Sequence, residues 1–156
     1  MLYEVVGDLV KDKKYNIFCH QTNCMGVMGS GIARQIALTY PSVAMRDKDY
    51  CRLKKPLGTI LPVRVSENRI CVNLYGQYNY GRYKRFTDYE AFQSALNMFA
   101  ERLNNSSIPD DWIIAFPYRI GCGLAGGSWG EIYPMIIKFS QQVVQDVYIV
   151  RLPERT

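Results

Sequence analysis

No run of apolar residues in the sequence approaches the ~20 needed to cross a bilayer as a helix. There is no CxxC pair, no internal repeat and no low-complexity tract. Histidine occurs once, at His20, and no cluster of His, Cys and carboxylate residues has metal-ligand spacing. These absences exclude a helical membrane span and point away from a metal centre. We expect no metal, no cofactor and no membrane partner. The five cysteines, Cys19, Cys24, Cys51, Cys71 and Cys122, are odd in number and follow no secretory leader, because Met1 to Leu9 reads as a strand. Reduced thiols and a cytoplasmic location are the simplest reading.

The 156 residues suit a single domain spanning 1–156. A chain of this length buries roughly two-thirds of the surface its unfolded form exposes, so it needs no disulfide or structural metal. Its 48% hydrophobic and 21% charged content is that of a globular protein. The net charge is +5, and part of the excess lies in Arg82, Lys84 and Arg85, interleaved with Tyr78, Tyr80 and Tyr83. Such a loop could bind nucleic acid, flank an anionic small ligand, or simply be solvated. The surplus does not by itself favour a nucleic-acid partner.

Hydrophobic patterning predicts a strand over Leu2–Val6 and a buried strand over Tyr15–His20. A loop, Gln21–Ser30, then precedes a helix from Gly31 to Thr39, with Ile32, Ile36 and Leu38 as its apolar contacts. Pro41 ends that helix, and Ser42 is placed to cap a second one reaching Leu53. Thr59–Val65 and Arg69–Tyr75 form a hairpin around Ser66–Asn68. Thr87, with Glu90 as its capping-box partner, opens a helix carrying Tyr89, Phe92, Leu96, Phe99 and Leu103. Trp112–Phe116 is another buried strand. Ser128 caps a last helix with Ile132, Ile136, Phe139 and Val143 inward, and Val147–Leu152 is the closing strand. The alternation predicts an α/β, three-layer α/β/α fold with a mixed central sheet.

Two glycine-rich loops stand out, each after a strand and before a helix. The first, His20 to Ala33, reads HQTNCMGVMGSGIA. Its glycines allow close approach of backbone to a ligand, and the helix that follows turns free N–H groups toward the loop, an arrangement that attracts phosphate. It is not a Walker A loop, since Ile32 and Ala33 stand where Lys and Ser or Thr are required. The second, Pro117 to Trp129, reads PYRIGCGLAGGSW. Gly121, Gly123 and Gly126 match GxGxxG, and Asp146 lies near the distance expected of a ribose-binding acid. Only one strand remains after the helix, however, too little for a dinucleotide-binding βαβαβ unit. A phosphate-cradling nest is the better reading. Beyond the carboxyl ends of their strands, the two loops should face one another and clamp a diphosphate.

Gly7-Asp8-Leu9, Asn23 through Ala33, and Ile120-Gly121-Cys122-Gly123-Leu124 followed by Trp129 together resemble the macrodomain family over Tyr3 to Leu152. The branch resembled contains terminal ADP-ribose protein glycohydrolase and yeast ADP-ribose-1''-phosphate phosphatase. The resemblance implies binding of ADP-ribose or an ADP-ribosylated substrate. Asp8 and Leu9 would meet the adenine, with Leu152 near it. Asn23 would face the distal ribose. Gly29, Ser30, Gly31 and Ile32 would hold the diphosphate with Gly121, Cys122, Gly123 and Leu124, beside Pro117 and Ile120. On a blander reading, Asp8 caps a turn and Asn23 bonds only to its own loop.

Glycohydrolases of that branch use a lysine just after the strand ending at Tyr75 and an aspartate in the second glycine loop. This chain has Gly76 and Gln77 at the first place and Ala125 at the second. Lys84 lies on the same segment. The candidates left for catalysis are Asn23, which could orient a water, and His20, which could be a base or a core residue. Hydrolysis of an ADP-ribosyl derivative is the first expectation. A non-catalytic ADP-ribose reader is the second.

Overall fold

The computed structural model describes residues 1–154. The elements run β1 (Leu2–Val6), β2 (Ile17–Gln21), α1 (Gly31–Thr39), α2 (Pro41–Leu53), β3 (Ile60–Ser66), β4 (Arg69–Leu74), α3 (Tyr89–Asn104), β5 (Ile113–Pro117), α4 (Trp129–Gln142) and β6 (Asp146–Arg151). The six strands form one sheet in the order β1-β6-β5-β2-β4-β3. Five are parallel, and β3 lies antiparallel on the edge as the partner of β4 in the hairpin. The mixed sheet expected from the hairpin and the α/β alternation is therefore present.

Because successive strand residues point to opposite faces, each strand feeds two cores. On one face Cys19, Val72, Leu74, Ile114, Phe116 and Ile149 meet Phe92, Leu96, Phe99 and Leu103 of α3 and Ile132, Ile136 and Phe139 of α4. Phe99 and Phe139 stack there at 5.0 Å. On the other, Phe18, Cys71, Tyr75, Ala115 and Val150 meet Ile36 of α1 and Val43 of α2. Helices thus cover both faces, and the sheet is the middle layer of three.

Local details depart from the sequence reading at several places, beyond one-residue shifts in the bounds of β3, β4, β5 and β6. The second strand is displaced to Ile17–Gln21, since Tyr15 and Asn16 still belong to the incoming turn. Leu38 is 72% exposed and packs in neither core. α2 begins at Pro41, with Tyr40 as N-cap, so Ser42 caps nothing: the fixed φ of proline suits a first helical position. α3 is capped by Asp88, whose Oδ1 accepts from Ala91 N at 3.0 Å. The Thr87–Glu90 box does not form, because the Thr87 hydroxyl donates across the sheet rim to Gly121 O at 2.6 Å. Ser128 does occupy the N-cap of α4, without a side-chain capping bond.

One buried cation ties the first connection to the sheet. Arg69 opens β4 and is 3% exposed. Its Nε donates to Tyr15 O (3.0 Å), Nη1 to Val10 O (2.9 Å) and to Tyr40 Oη (2.9 Å), and Nη2 to Leu9 O (3.1 Å). The guanidinium lies 4.1 Å from the Phe18 ring centre. Carbonyl dipoles and an aromatic face replace the usual carboxylate. β1 and β6 run side by side in the same direction, so Met1 lies at the foot of the sheet, 3.5 Å from Asp146, while Leu152 emerges at the opposite rim. Replacing Arg69 by Met leaves three buried carbonyls without donors, and should lower stability by about 3 kcal/mol in denaturant titrations.

Candidate functional site

β2 and β5 are neighbours at the centre of the sheet. The chain leaves β2 toward α1 on one face and leaves β5 toward α4 on the other. Their carboxyl ends therefore diverge, and the gap is a topological switch point, where open α/β sheets bind ligands. A cleft of about 570 Å³ occupies it. Its walls are Gln21–Asn23, Val27 and Gly29–Ala33 from the first glycine loop, Pro117–Gly121 and Gly123–Ala125 from the second, and Gln77 with Tyr80–Arg82 from the segment after β4. The two loops do share one mouth.

Both loops bring backbone N–H groups with no acceptor of their own. α1 starts at Gly31 (φ +56°), and Ser30, its N-cap, makes no side-chain cap. Arg34 N, bonding Ser30 O at 3.2 Å, is the first amide to find a helical acceptor, which leaves Gly31, Ile32 and Ala33 without an acceptor among the described residues. In the second loop Ile120 N bonds Pro117 O, Cys122 N bonds Arg119 O, Gly126 N bonds Gly123 O and Gly127 N bonds Gly121 O. The amides of Gly121, Gly123, Leu124 and Ala125 have no acceptor among the described residues. At Gly127 a Cβ would stand 2.5 Å from Gly121 O, so this tight loop admits no side chain there. Arg119, at φ +61°, is a non-glycine residue in the left-handed region, on the cleft wall itself.

The third wall is stitched to both loops. Cys24 N donates to Tyr78 O at 2.9 Å, and Phe86 N and Thr87 N donate to Ala125 O at 2.7 and 3.1 Å. Gln21 Nε2 donates to Gln77 Oε1 (2.8 Å) and to Thr87 Oγ1 (3.0 Å), and Gln77 Nε2 donates to Asn79 O (2.8 Å). Gln77, just after β4, is thus part of a neutral amide network.

The expected site residues divide. Asn23, Gly29, Ser30, Gly31, Ile32, Pro117, Ile120, Gly121, Gly123 and Leu124 all line the cleft. Asn23 is held by its own loop: Oδ1 accepts from Met25 N (2.9 Å) and Nδ2 donates to Val27 O (2.8 Å). Cys122 is not brought to the cleft. Its thiol packs in the core and reaches Ile120 O at 3.4 Å, and burial raises its pKa, against the opposing pull of Arg119. Asp8, Leu9 and Leu152 sit on the same rim, at its β1–β6 end and outside the cleft lining. Asp8 Oδ1 accepts from Val10 N (3.1 Å) and Lys11 N (2.9 Å), which is a turn cap. Leu9 is buried in the α1–α2 core, whereas Leu152 is exposed.

His20 does not reach the cleft either. Its side chain points under α2 and is fully buried, with Nε2 donating to Asn73 Oδ1 at 2.6 Å. Asn73 Nδ2 and Tyr75 Oη both donate to Asp47 Oδ1, at 3.4 and 2.6 Å. Burial lowers the His20 pKa to about 4, although the bond to Asn73 acts in the opposite direction. The ring is neutral at physiological pH and belongs to a structural network.

Gln21, Thr22, Gln77, Tyr80, Tyr118 and Arg119 were not expected to line the cleft. Gln21 had a signal, as a polar residue closing a buried strand where it opens into the glycine loop. Arg119 had none. Of the tyrosine-rich segment, Arg82 lines the cleft, while Lys84 Nζ and the Arg85 guanidinium rest 5.0 and 4.5 Å from the ring centres of Phe86 and Tyr89. Among the lining residues there is no carboxylate, histidine or cysteine.

A mixed sheet covered on both faces, with two glycine loops meeting at its switch point, is the macrodomain architecture, and this chain has the macrodomain fold. It superposes on the macrodomain of Mycobacterium tuberculosis DarG with a TM-score of 0.82 at 20% identity, covering 99% of each chain. Thermosipho africanus DarTG, solved in complex with ADP-ribose, matches with a TM-score of 0.77 at 21% identity, over 96% of this chain and 41% of that one. In sequence, the chain is similar to the ADP-ribose 1''-phosphate phosphatase of Saccharomyces cerevisiae (strain YJM789), 27% identical over 172 residues, covering 92% of this chain and 96% of the relative. An uncharacterised 17.5 kDa protein of enterobacteria phage T4 is also 27% identical, over 133 residues, 80% of this chain and 79% of that protein. No family model matches the chain.

The buried imidazole sets an acid limit on stability. An unfolded histidine titrates near 6.5 and native His20 near 4, so between these values the unfolded chain binds the extra proton. The contribution is complete above pH 6.5 and falls by up to about 3 kcal/mol as the pH drops to 4. Asp47, whose pKa is raised by burial, works in the other direction as the pH falls through its raised value. Denaturant midpoints measured at pH 7, 5.5 and 4.5 should decline in the wild type, and decline much less in His20→Gln.

Proposed function

We propose that this protein binds ADP-ribose through its diphosphate and hydrolyses an ADP-ribosyl derivative, either ADP-ribose-1''-phosphate or an ADP-ribosylated macromolecule. One observation carries the reading. Two sets of backbone amides with no acceptor among the described residues, Gly31–Ala33 and Gly121 with Gly123–Ala125, belong to residues that line one cleft at the switch point. Their positive ends suit an anion with oxygens on both sides, and such charge-assisted bonds contribute about 1.5–3 kcal/mol each. The adenine would extend along the rim toward Asp8, Leu9 and Leu152, and the distal ribose toward Asn23 and the wall after β4. The phosphatase similarity and the ADP-ribose complex of a structural neighbour agree with this choice of ligand.

The chemistry follows from what the walls offer. With no carboxylate, histidine or cysteine among the lining residues, a water would attack at or near the distal anomeric centre. Asn23 has both side-chain atoms engaged in its loop, so it shapes the site, and the ligand's own phosphate is a group able to orient that water. The protein's part is positioning and stabilisation of negative charge by amides and guanidinium groups. The same lack of a base supports a second reading, a reader that binds ADP-ribose without turning it over.

Calorimetry with ADP-ribose tests binding. Gly123 lines the cleft, and a Cβ built on it meets nothing within 4 Å, so Gly123→Val should fill the mouth while leaving the fold intact. We expect at least about a tenfold loss of affinity with an unchanged melting temperature. Absence of wild-type binding would end the proposal. Incubation with ADP-ribose-1''-phosphate and with an ADP-ribosylated protein decides the rest: release of phosphate or of ADP-ribose supports the hydrolase, and binding without product leaves the reader.

A further inference from the structure

The three cations of the wall after β4 are held differently. Lys84 and Arg85 lie over aromatic rings, as described above. Arg82 has no carboxylate, carbonyl or aromatic partner among the described residues, and it lines the cleft. Its position follows from the fold. The segment leaves the sheet after β4, on the far side of β2 from β5 and β6. Arg82 therefore lines the wall on the β4 side of the cleft, away from Asp8 and Leu152 at its β1–β6 end. The wall there is otherwise neutral: Gln21, Thr22 and Gln77 carry no charge, and no lining carboxylate opposes an added anion.

We propose that Arg82 is a specificity-determining residue that reads a phosphate monoester on the terminal ribose, so that the preferred ligand is an ADP-ribose carrying a further phosphate at its far end. This inference rests on the ADP-ribose reading given above, because that reading sets the order of adenine, diphosphate and distal ribose along the rim. A phosphate monoester carries between one and a half and two negative charges near neutral pH. A guanidinium meets two of its oxygens at once through a planar fork. Arg82 breaks no internal bond to do so. A ribose linked to a protein side chain would offer that guanidinium no such charge.

The test compares two ligands on the full protein by calorimetry at one fixed salt concentration: ADP-ribose, and its terminal phosphonate analogue, which cannot be turned over. The wild type should bind the phosphonate about tenfold more tightly. In Arg82→Gln this preference should collapse to within about twofold, the larger loss falling on the phosphonate. Lys84→Gln, whose cation rests on Phe86, should keep the tenfold preference. Equal wild-type affinities, or a preference that survives in Arg82→Gln, would overturn the proposal. So would an equal loss for both ligands in that variant, which would make Arg82 a general phosphate contact. Failure of the wild type to bind ADP-ribose at all is a different result, and it removes the parent reading as well. Melting temperatures of the variants confirm folding, which the exposure of Arg82 leaves undisturbed.

Discussion

Two parallel strands side by side, each sending the chain to a different face of the sheet, are the constraint from which the site follows. β2 must turn toward α1 and β5 toward α4, so the segments between strand and helix cannot cover one another's backbone. Hydrogen-bonding demand is concentrated there, because a helix start leaves amides without acceptors and a tight glycine turn leaves several more. Ordinary helices answer with a capping side chain. α3 does so through Asp88, whereas α1 and α4 begin at Ser30 and Ser128 without a side-chain cap. α2, at Tyr40, is uncapped as well, but only the first turn of α1 lines the gap, and an anion there would satisfy what the chain itself does not.

The wall after β4 turns two loops into one enclosure. Thr87 accepts from Gln21 at the end of β2 and donates to Gly121 in the second glycine loop, while its own amide holds Ala125 O. A single side chain therefore couples three segments that come from separate parts of the sequence. The neutral Gln21–Gln77–Thr87 network fixes their spacing without placing a titratable group in the cleft. On the opposite face of the sheet, His20, Asn73, Asp47 and Tyr75 form a separate buried network that anchors α2 beneath the first glycine loop. Polar groups under the cleft floor hold the architecture, and backbone groups are left to face the ligand.

Much of this was legible in the chain. β1 and α1 have the bounds that apolar periodicity gave them, since each has a strong stop, at Gly7 and at Pro41. The mixed sheet followed from one hairpin set among alternating strands and helices. The paired glycine loops announced where the cleft lies, and ten of the expected ligand residues line it. What failed depended on side-chain direction and on partners far away in sequence. Thr87 had the local signature of a cap, but Gly121, 34 positions on, takes its hydroxyl. Cys122 lies in the middle of the glycine loop, yet its thiol is turned inward and its amide closes a turn. His20 looked available at the end of a strand, whereas strand alternation points it beneath α2. Arg69 carried no sequence signal, because its partners are main-chain carbonyls, which composition does not reveal.

The parallel pairing of β1 with β6 has a practical side. The amino terminus sits at the foot of the sheet beside Asp146, and the carboxyl-terminal end of β6 surfaces on the rim that carries the cleft. Anchoring the molecule to a sensor surface by its first residue would hold the mouth toward solution. An affinity handle fused after Leu152 would instead leave the sheet next to that mouth and crowd whatever approaches it.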